Sequence, residues 1–140
     1  AFLMQQMEWR EALDDAADAD AVEALDDAVA AQETTMLAQL TDALDAYIRR
    51  DANLAGDVRL RDREVDQMYN SIFRELLTHM MEDPRNIGPC MHLHFIAKNI
   101  ERVGDHATSV AEQVIYLVTG AMPDDERPKF DSTSPAATEE

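Results

Sequence analysis

Between residues 93 and 118 two apolar series run side by side at intervals of seven: Leu93, Ile100, Ala107 and Val114, and Ala97, Gly104, Ala111 and Val118. A two-position heptad of this kind belongs to a long helix that buries one narrow stripe against partner helices. It predicts an α-helix from about Pro89 to Thr119, closed by Gly120. The small residues Ala97, Gly104, Ala107 and Ala111 let a neighbouring helix come close at its middle.

The rest of the chain supplies those neighbours. From Asp20, an expected N-cap, the series Val22, Leu25, Val29, Met36, Leu40, Leu44, Tyr47 keeps a three-or-four spacing to Arg50, with Thr34-Thr35 as a point where the helix can break. Asp51 caps a further helix whose inward series is Leu54, Val58, Val65, Met68/Tyr69, Ile72/Phe73, Leu76 and Met80, ended by Asp83-Pro84. Three helices of about 30 residues reach about 45 Å each, and short connections make neighbours antiparallel. The expected fold is all-α: an elongated, antiparallel three-helix bundle. Residues 1–33 read as an added N-terminal helical segment, weakly patterned over 1–17, residues 34–120 as the bundle proper, and 121–140, which lack periodicity, as a mobile tail. The pentapeptide Ala-Leu-Asp-Asp-Ala at 12–16 returns at 24–28, which chance explains in so Ala- and Asp-rich a stretch.

A length of 140 residues suits one domain, and four Gly and five Pro leave long runs of good helix formers. The 29 acidic against 12 basic residues give a formal charge of −17, which repels phosphate backbones and anionic lipid and attracts cations and basic protein patches. Nucleic-acid binding and membrane insertion are therefore not expected. The single cysteine, Cys90, calls for no oxidising compartment, and no apolar run or signal-peptide pattern is visible, so the cytoplasm is expected. The chain begins at Ala1 rather than Met, as a fragment or processed product does.

The residues that carry chemistry are two acidic pairs. Asp62 and Asp66 stand four apart, on or beside the stripe that continues to Tyr69, Phe73, Leu76 and Met80; Glu101 and Asp105 repeat the spacing one position off Ile100 and Gly104, with Glu112 beyond. Like charges at this spacing destabilise a helix, and burying them without compensation costs far more. One solution is a metal bridged by carboxylates of facing helices, where oxygen-only ligation suits Mg, Mn, Fe or Ca before a structural zinc. The other is pairing with Arg59, Arg61, Arg63, Arg102 or Lys98, or plain solvation. His106 beside Asp105 is a ligand or a surface hydrogen-bonder; His92 and His94, two apart, point to different faces. Met68, Met80 and Met81 read as core filler.

At these residues a family resemblance emerges. The run Leu54 to Asp66, then Phe73-Arg-Glu-Leu-Leu-Thr-His-Met-Met-Glu-Asp-Pro-Arg-Asn-Ile, then Ile96-Ala-Lys-Asn-Ile-Glu-Arg-Val-Gly-Asp-His-Ala-Thr-Ser-Val-Ala-Glu112 resembles the second repeat of the PhoU family of phosphate-uptake regulators. The likeness runs over roughly residues 34–131, with Glu101-Arg-Val-Gly-Asp105-His-Ala as its most specific block. One copy of the repeat is legible; Glu23-x-x-x-Asp27 has different surroundings, and Ser109 stands where the family often has Asn. The resemblance implies a three-helix bundle with an E(D)xxxD motif on each of two helices, together binding metal, iron or zinc in some members. Carried over, these motifs fall on Asp62, Asp66, Glu101 and Asp105, with Mg or Mn as further candidate ions. It also implies a cytoplasmic, non-enzymatic negative regulator of the phosphate-starvation response. Its expected partners are the phosphate ABC transporter ATPase and the phosphate-sensing histidine kinase, and a homodimer is expected.

Other classes fit worse. A ferritin-like di-iron site needs Glu three residues before His, which none of His79, His92, His94 and His106 has. Asp18-Ala-Asp20 leads to neither the glycine nor the twelfth-position Glu of a calcium loop. No Ser-His-Asp set, Walker motif or Gly-rich phosphate loop is visible, and His94 lacks the Lys-Gly context of a phosphotransfer histidine. A metal-free helical adaptor or dimerisation bundle remains the alternative.

Overall fold

Two chain reversals lay three long helices beside one another. At the first, Arg50 takes φ 56° and the next residue, Asp51, caps the following helix by accepting from the Leu54 amide at 3.0 Å. At the second, Asp83 accepts from the Arg85 amide at 2.9 Å, Pro84 opens a single 3₁₀ turn, and the Asn86 side chain donates through Nδ2 to the His79 carbonyl at 3.1 Å. The protein, a computed structural model, is described over residues 19–123. Its helices are α1 (Ala19–Arg49), α2 (Ala52–Glu82) and α3 (Ile87–Thr119), with the 3₁₀ turn Pro84–Asn86 between the last two. Among the described residues there is no strand, and each helix packs against both others. The expected all-α three-helix bundle is what the chain forms.

The expected helix over 1–17 and most of the tail, from residue 124 on, lie outside the described residues. The boundary expected at residue 33 falls inside α1, whose Val22, Leu25 and Val29 share one core with Val65, Leu76 and Leu93. Thr34 and Thr35 do not break α1, because their hydroxyls donate to the Ala30 and Ala31 carbonyls at 3.1 and 3.2 Å, which keeps them compatible with the helix. α3 starts at Ile87, slightly before Pro89, whose missing N–H falls in the first turn where it has no intrahelical partner to lose. Gly120 at φ 77° closes α3, as expected.

The core runs as a heptad along all three helices. In α1 the buried positions are Val22, Leu25, Val29, Gln32, Met36, Gln39, Ala43 and Ala46, stepping alternately by three and four. This corrects the expected inward series: Leu44 and Tyr47 are 49 % and 50 % exposed, and the small Ala43 and Ala46 face inward in their place. Alanines there meet Ala55, Ala107 and Ala111, so the helices approach closely and leave no room for leucine. In α2 the stripe is Ala55, Val58, Asp62, Val65, Tyr69, Ile72 and Leu76, with Leu54, Met68, Phe73 and Met80 only half-buried beside it. In α3 the predicted seam is buried from Leu93 to Val114, and Val118 at the frayed end is exposed.

Candidate metal centre

The middle of the bundle is polar. Gln39 of α1, Asp62 and Asp66 of α2, and Glu101 and Thr108 of α3 are each under 5 % exposed, although surrounded by apolar heptad layers. Asp62 occupies a core heptad position itself, and Asp66 stands one turn further along α2. Across the α2–α3 interface Asp62 faces Thr108 and Arg59 faces Glu112, at 2.8 and 3.5 Å. Three residues up α2 from Arg59 thus correspond to four down α3 from Glu112, and one turn further along α2 Asp66 comes beside Asp105.

One oxygen from each of Asp62, Asp66 and Asp105 lies within 4.8 Å of the other two. Two of these carboxylates are buried and the third is half-buried. Carboxylates this close repel when charged, since two unit charges about 5 Å apart interact by about 3 kcal/mol at an effective dielectric near 20. The trio offers oxygen-only donors, of the kind that Mg, Mn or Fe accept and zinc tolerates.

Glu101, the fourth expected residue, is buried but outside the trio. It stands one turn nearer the start of α3 and lies 3.1 Å from Lys98 Nζ, whose ammonium also sits 4.9 Å from the centre of the Tyr69 ring. His106 is exposed. His94 approaches the Tyr69 hydroxyl at 3.3 Å through Nε2, and burial, helped by nearby Lys98, holds its pKa below the ordinary histidine value. Burial likewise pushes the Cys90 thiol up, which makes it unreactive rather than nucleophilic.

Sequence reasoning missed the residues that hold the trio in place. Thr108 Oγ1 donates to Asp62 Oδ1 at 2.8 Å, and Gln39 Nε2 lies 2.7 Å from that hydroxyl, 3.4 Å from the Gly104 carbonyl and 3.4 Å from Asp62 Oδ1. The polarity of this chain is fixed at its end. Both oxygens the Thr108 hydroxyl can donate to, Asp62 Oδ1 at 2.8 Å and the Gly104 carbonyl at 3.1 Å, are acceptors, the first the nearer, and Gln39 Nε2 carries only N–H, so Thr108 accepts from Gln39. One heptad earlier, Gln32 Nε2 donates to the Ala97 carbonyl at 3.1 Å. The signal was present in the sequence: Gln32 and Gln39 fill the gaps that a strict heptad leaves between Val29, Met36 and Ala43.

Fold and site define an all-α three-helix bundle with a cluster of carboxylates between two of its helices. The PhoU domain model matches residues 33–114, more than half of the chain, and the chain belongs to the PhoU family. A second model, the HSCB C-terminal oligomerisation domain, matches residues 1–61. Among curated relatives, the phosphate-specific transport system accessory protein PhoU homolog of Rhizobium meliloti is 60 % identical over 98 residues, covering 70 % of this chain and 41 % of its own. That of Caulobacter vibrioides is 48 % identical over 117 residues, 84 % of this chain and 51 % of its own, and that of Zymomonas mobilis is 55 % identical over 87 residues, 61 % and 37 %. The chain thus spans about half or less of the length of these relatives. No solved structure matches. Among the described residues no helix is long and apolar enough to cross a membrane.

Proposed function

We propose that this chain is the cation-holding bundle of a phosphate-transport accessory protein, and that it restrains phosphate uptake and phosphate-starvation signalling by contacting other proteins. The reading rests on one observation above the rest: Asp62, Asp66 and Asp105 meet within 4.8 Å inside the segment that the PhoU domain matches. In this reading the three aspartates hold the ion directly and Glu101, one turn away, is the fourth carboxylate available to it. Iron or zinc is the proposed ion, with manganese or magnesium as the alternatives the oxygen donors also suit. Bound there, the ion supplies the positive charge that offsets the carboxylate repulsion and ties α2 to α3. The function is binding rather than catalysis.

The proposed partners are the ATPase of the phosphate ABC transporter and the phosphate-sensing histidine kinase, met on the cytoplasmic side of the membrane, with a homodimer as the working form. A formal charge of −17 favours basic patches on those partners. The metal-free adaptor has its own support, because Lys98 with Glu101 and Arg59 with Glu112 already neutralise the flanking acids. Elemental analysis of the purified chain, joined to co-purification with the ATPase and the kinase, separates the two. Bound iron, zinc, manganese or magnesium that D62N/D66N loses supports the centre; partner capture without any bound metal favours the adaptor. Failure to capture either partner overturns the regulatory reading.

A further inference from the structure

The three aspartates come from only two helices, yet the first of them is held by the third. We infer that Gln39 and Thr108 are positioning residues for the metal centre, a relay through which α1 sets where the Asp62 carboxylate stands and hence how tightly the centre holds its ion. The inference rests on the metal-centre reading above and deepens it.

The geometry carries the argument in three steps. The helix fixes the Cα of Asp62, and hydrogen bonds to Oδ1 from Thr108 at 2.8 Å and Gln39 at 3.4 Å restrain that oxygen, and with it the direction in which the carboxylate points. Thr108 in turn is restrained, because its oxygen takes the Gln39 amide at 2.7 Å while its proton is shared between Asp62 Oδ1 at 2.8 Å and the Gly104 carbonyl at 3.1 Å. The same Gln39 Nε2 also lies 3.4 Å from the Gly104 carbonyl, one residue before Asp105. The relay therefore touches α3 beside one aspartate of the trio and α2 at another. All of it is dry: Gln39, Thr108 and Asp62 are at most 2 % exposed, so water does not replace a lost donor without a cavity being opened. Groups that orient metal-binding carboxylates in this way generally change affinity by about 10–100-fold when removed.

The test is calorimetric titration of the whole chain, stripped with EDTA, by Mn²⁺, Fe²⁺ and Zn²⁺ separately, alongside its melting temperature without metal. T108V keeps the shape of the side chain and deletes the hydroxyl; T108S keeps the hydroxyl; Q39L removes the amide from α1. The expected result is a Kd about 10-fold or more weaker in T108V and Q39L, and wild-type affinity in T108S. A purely structural role moves the melting temperature of the stripped protein and leaves the Kd alone, and that outcome overturns the inference. If T108V does not fold, the Q39L Kd makes the same decision. A wild-type chain that takes up none of the three ions sinks the metal-centre reading and this inference together, whereas uptake by wild type with unchanged Kd in the variants sinks the inference alone.

Discussion

Gln39 of α1 and Gly104 of α3 share one level of the bundle, and the glutamine Oε1 lies 3.3 Å from where a Cβ on residue 104 would stand. Val65 Cγ1 lies 3.4 Å from the same point. Alanine is worth about 1 kcal/mol over glycine in a helix interior, and overpacking a filled core costs about 1–3 kcal/mol. The sign depends on whether Gln39 can give way, and it cannot swing aside, being buried and bound to Thr108 at 2.7 Å. G104A is expected to lower stability by about 1 kcal/mol in chemical denaturation, the overpacking exceeding the propensity gain. A clear rise in stability would mean that the level has slack.

In the metal-centre reading, adding metal reverses the order of stability of wild type and D66N. Without an ion, D66N removes one of three mutually repelling charges, and in EDTA its melting temperature is expected to exceed that of wild type by several degrees, the size expected for about 1 kcal/mol or more. With an ion at about 100 times Kd, wild type gains about 2.7 kcal/mol by mass action and D66N gains much less. Thermal melts of both proteins with EDTA and with Mn²⁺ check this. If the order of the two proteins does not reverse on adding metal, the trio is not the ion's home.

The exposed leucine and the buried alanine next to it in α1 separate what patterning by hydrophobicity can read from what it cannot. Ala43 is 0 % exposed and Leu44 49 %. A43L is expected to cost about 1–3 kcal/mol or more, since Ala43 packs among Ala46, Ala55 and Ala107, while L44A should cost less than about 1 kcal/mol, far below the 2–5 kcal/mol of a buried leucine such as Leu25. Equilibrium denaturation of the three variants gives the ranking directly; equal losses for L44A and L25A would show that Leu44 is covered.

The same pair shows how much of the protein was legible beforehand. α3 and most of α2 were readable because large apolar residues sit on their inward heptad positions, as at Leu93, Ile100, Val65 and Leu76. α1 was misread over its second half because its inward positions are alanine and glutamine, which a hydrophobic count passes over in favour of Leu40, Leu44 and Tyr47. The acid pair on α2 was readable as inward-facing, since Asp62 and Asp66 flank a stripe that period alone fixes. Its supports were not readable. Gln39 lies 23 residues from Asp62, and Thr108 46 residues, and only the packing of three helices reveals that they meet.

His94 provides a pH signature away from the aspartates. Its ring is half-buried beside Phe73 and Phe95, centroids 5.4 and 5.8 Å away, with Tyr69 at 3.3 Å and Lys98 close by. Burial first, and the Lys98 charge second, place its folded-state pKa below the ordinary 6.5. A group whose folded pKa is depressed binds more protons unfolded than folded, so stability rises with pH between the two values. His94 therefore contributes nothing to pH dependence well above 6.5, and its environment destabilises the fold progressively as pH falls through 6.5 toward the lower folded value. Asp83, held below the usual carboxylate range by hydrogen bonds from Arg85, acts lower still, its contribution being lost as pH falls from 3.8 through its lower folded value. The two are separable by mutation. H94Q, with an uncharged side chain, is expected to flatten the fall in stability below about pH 6.5 while leaving the loss below about pH 3.8 intact. Denaturation midpoints in EDTA at half-unit steps from about pH 8 to about pH 2.5 give the two profiles, and superimposable curves above about pH 5 for wild type and H94Q would assign the upper transition to another group.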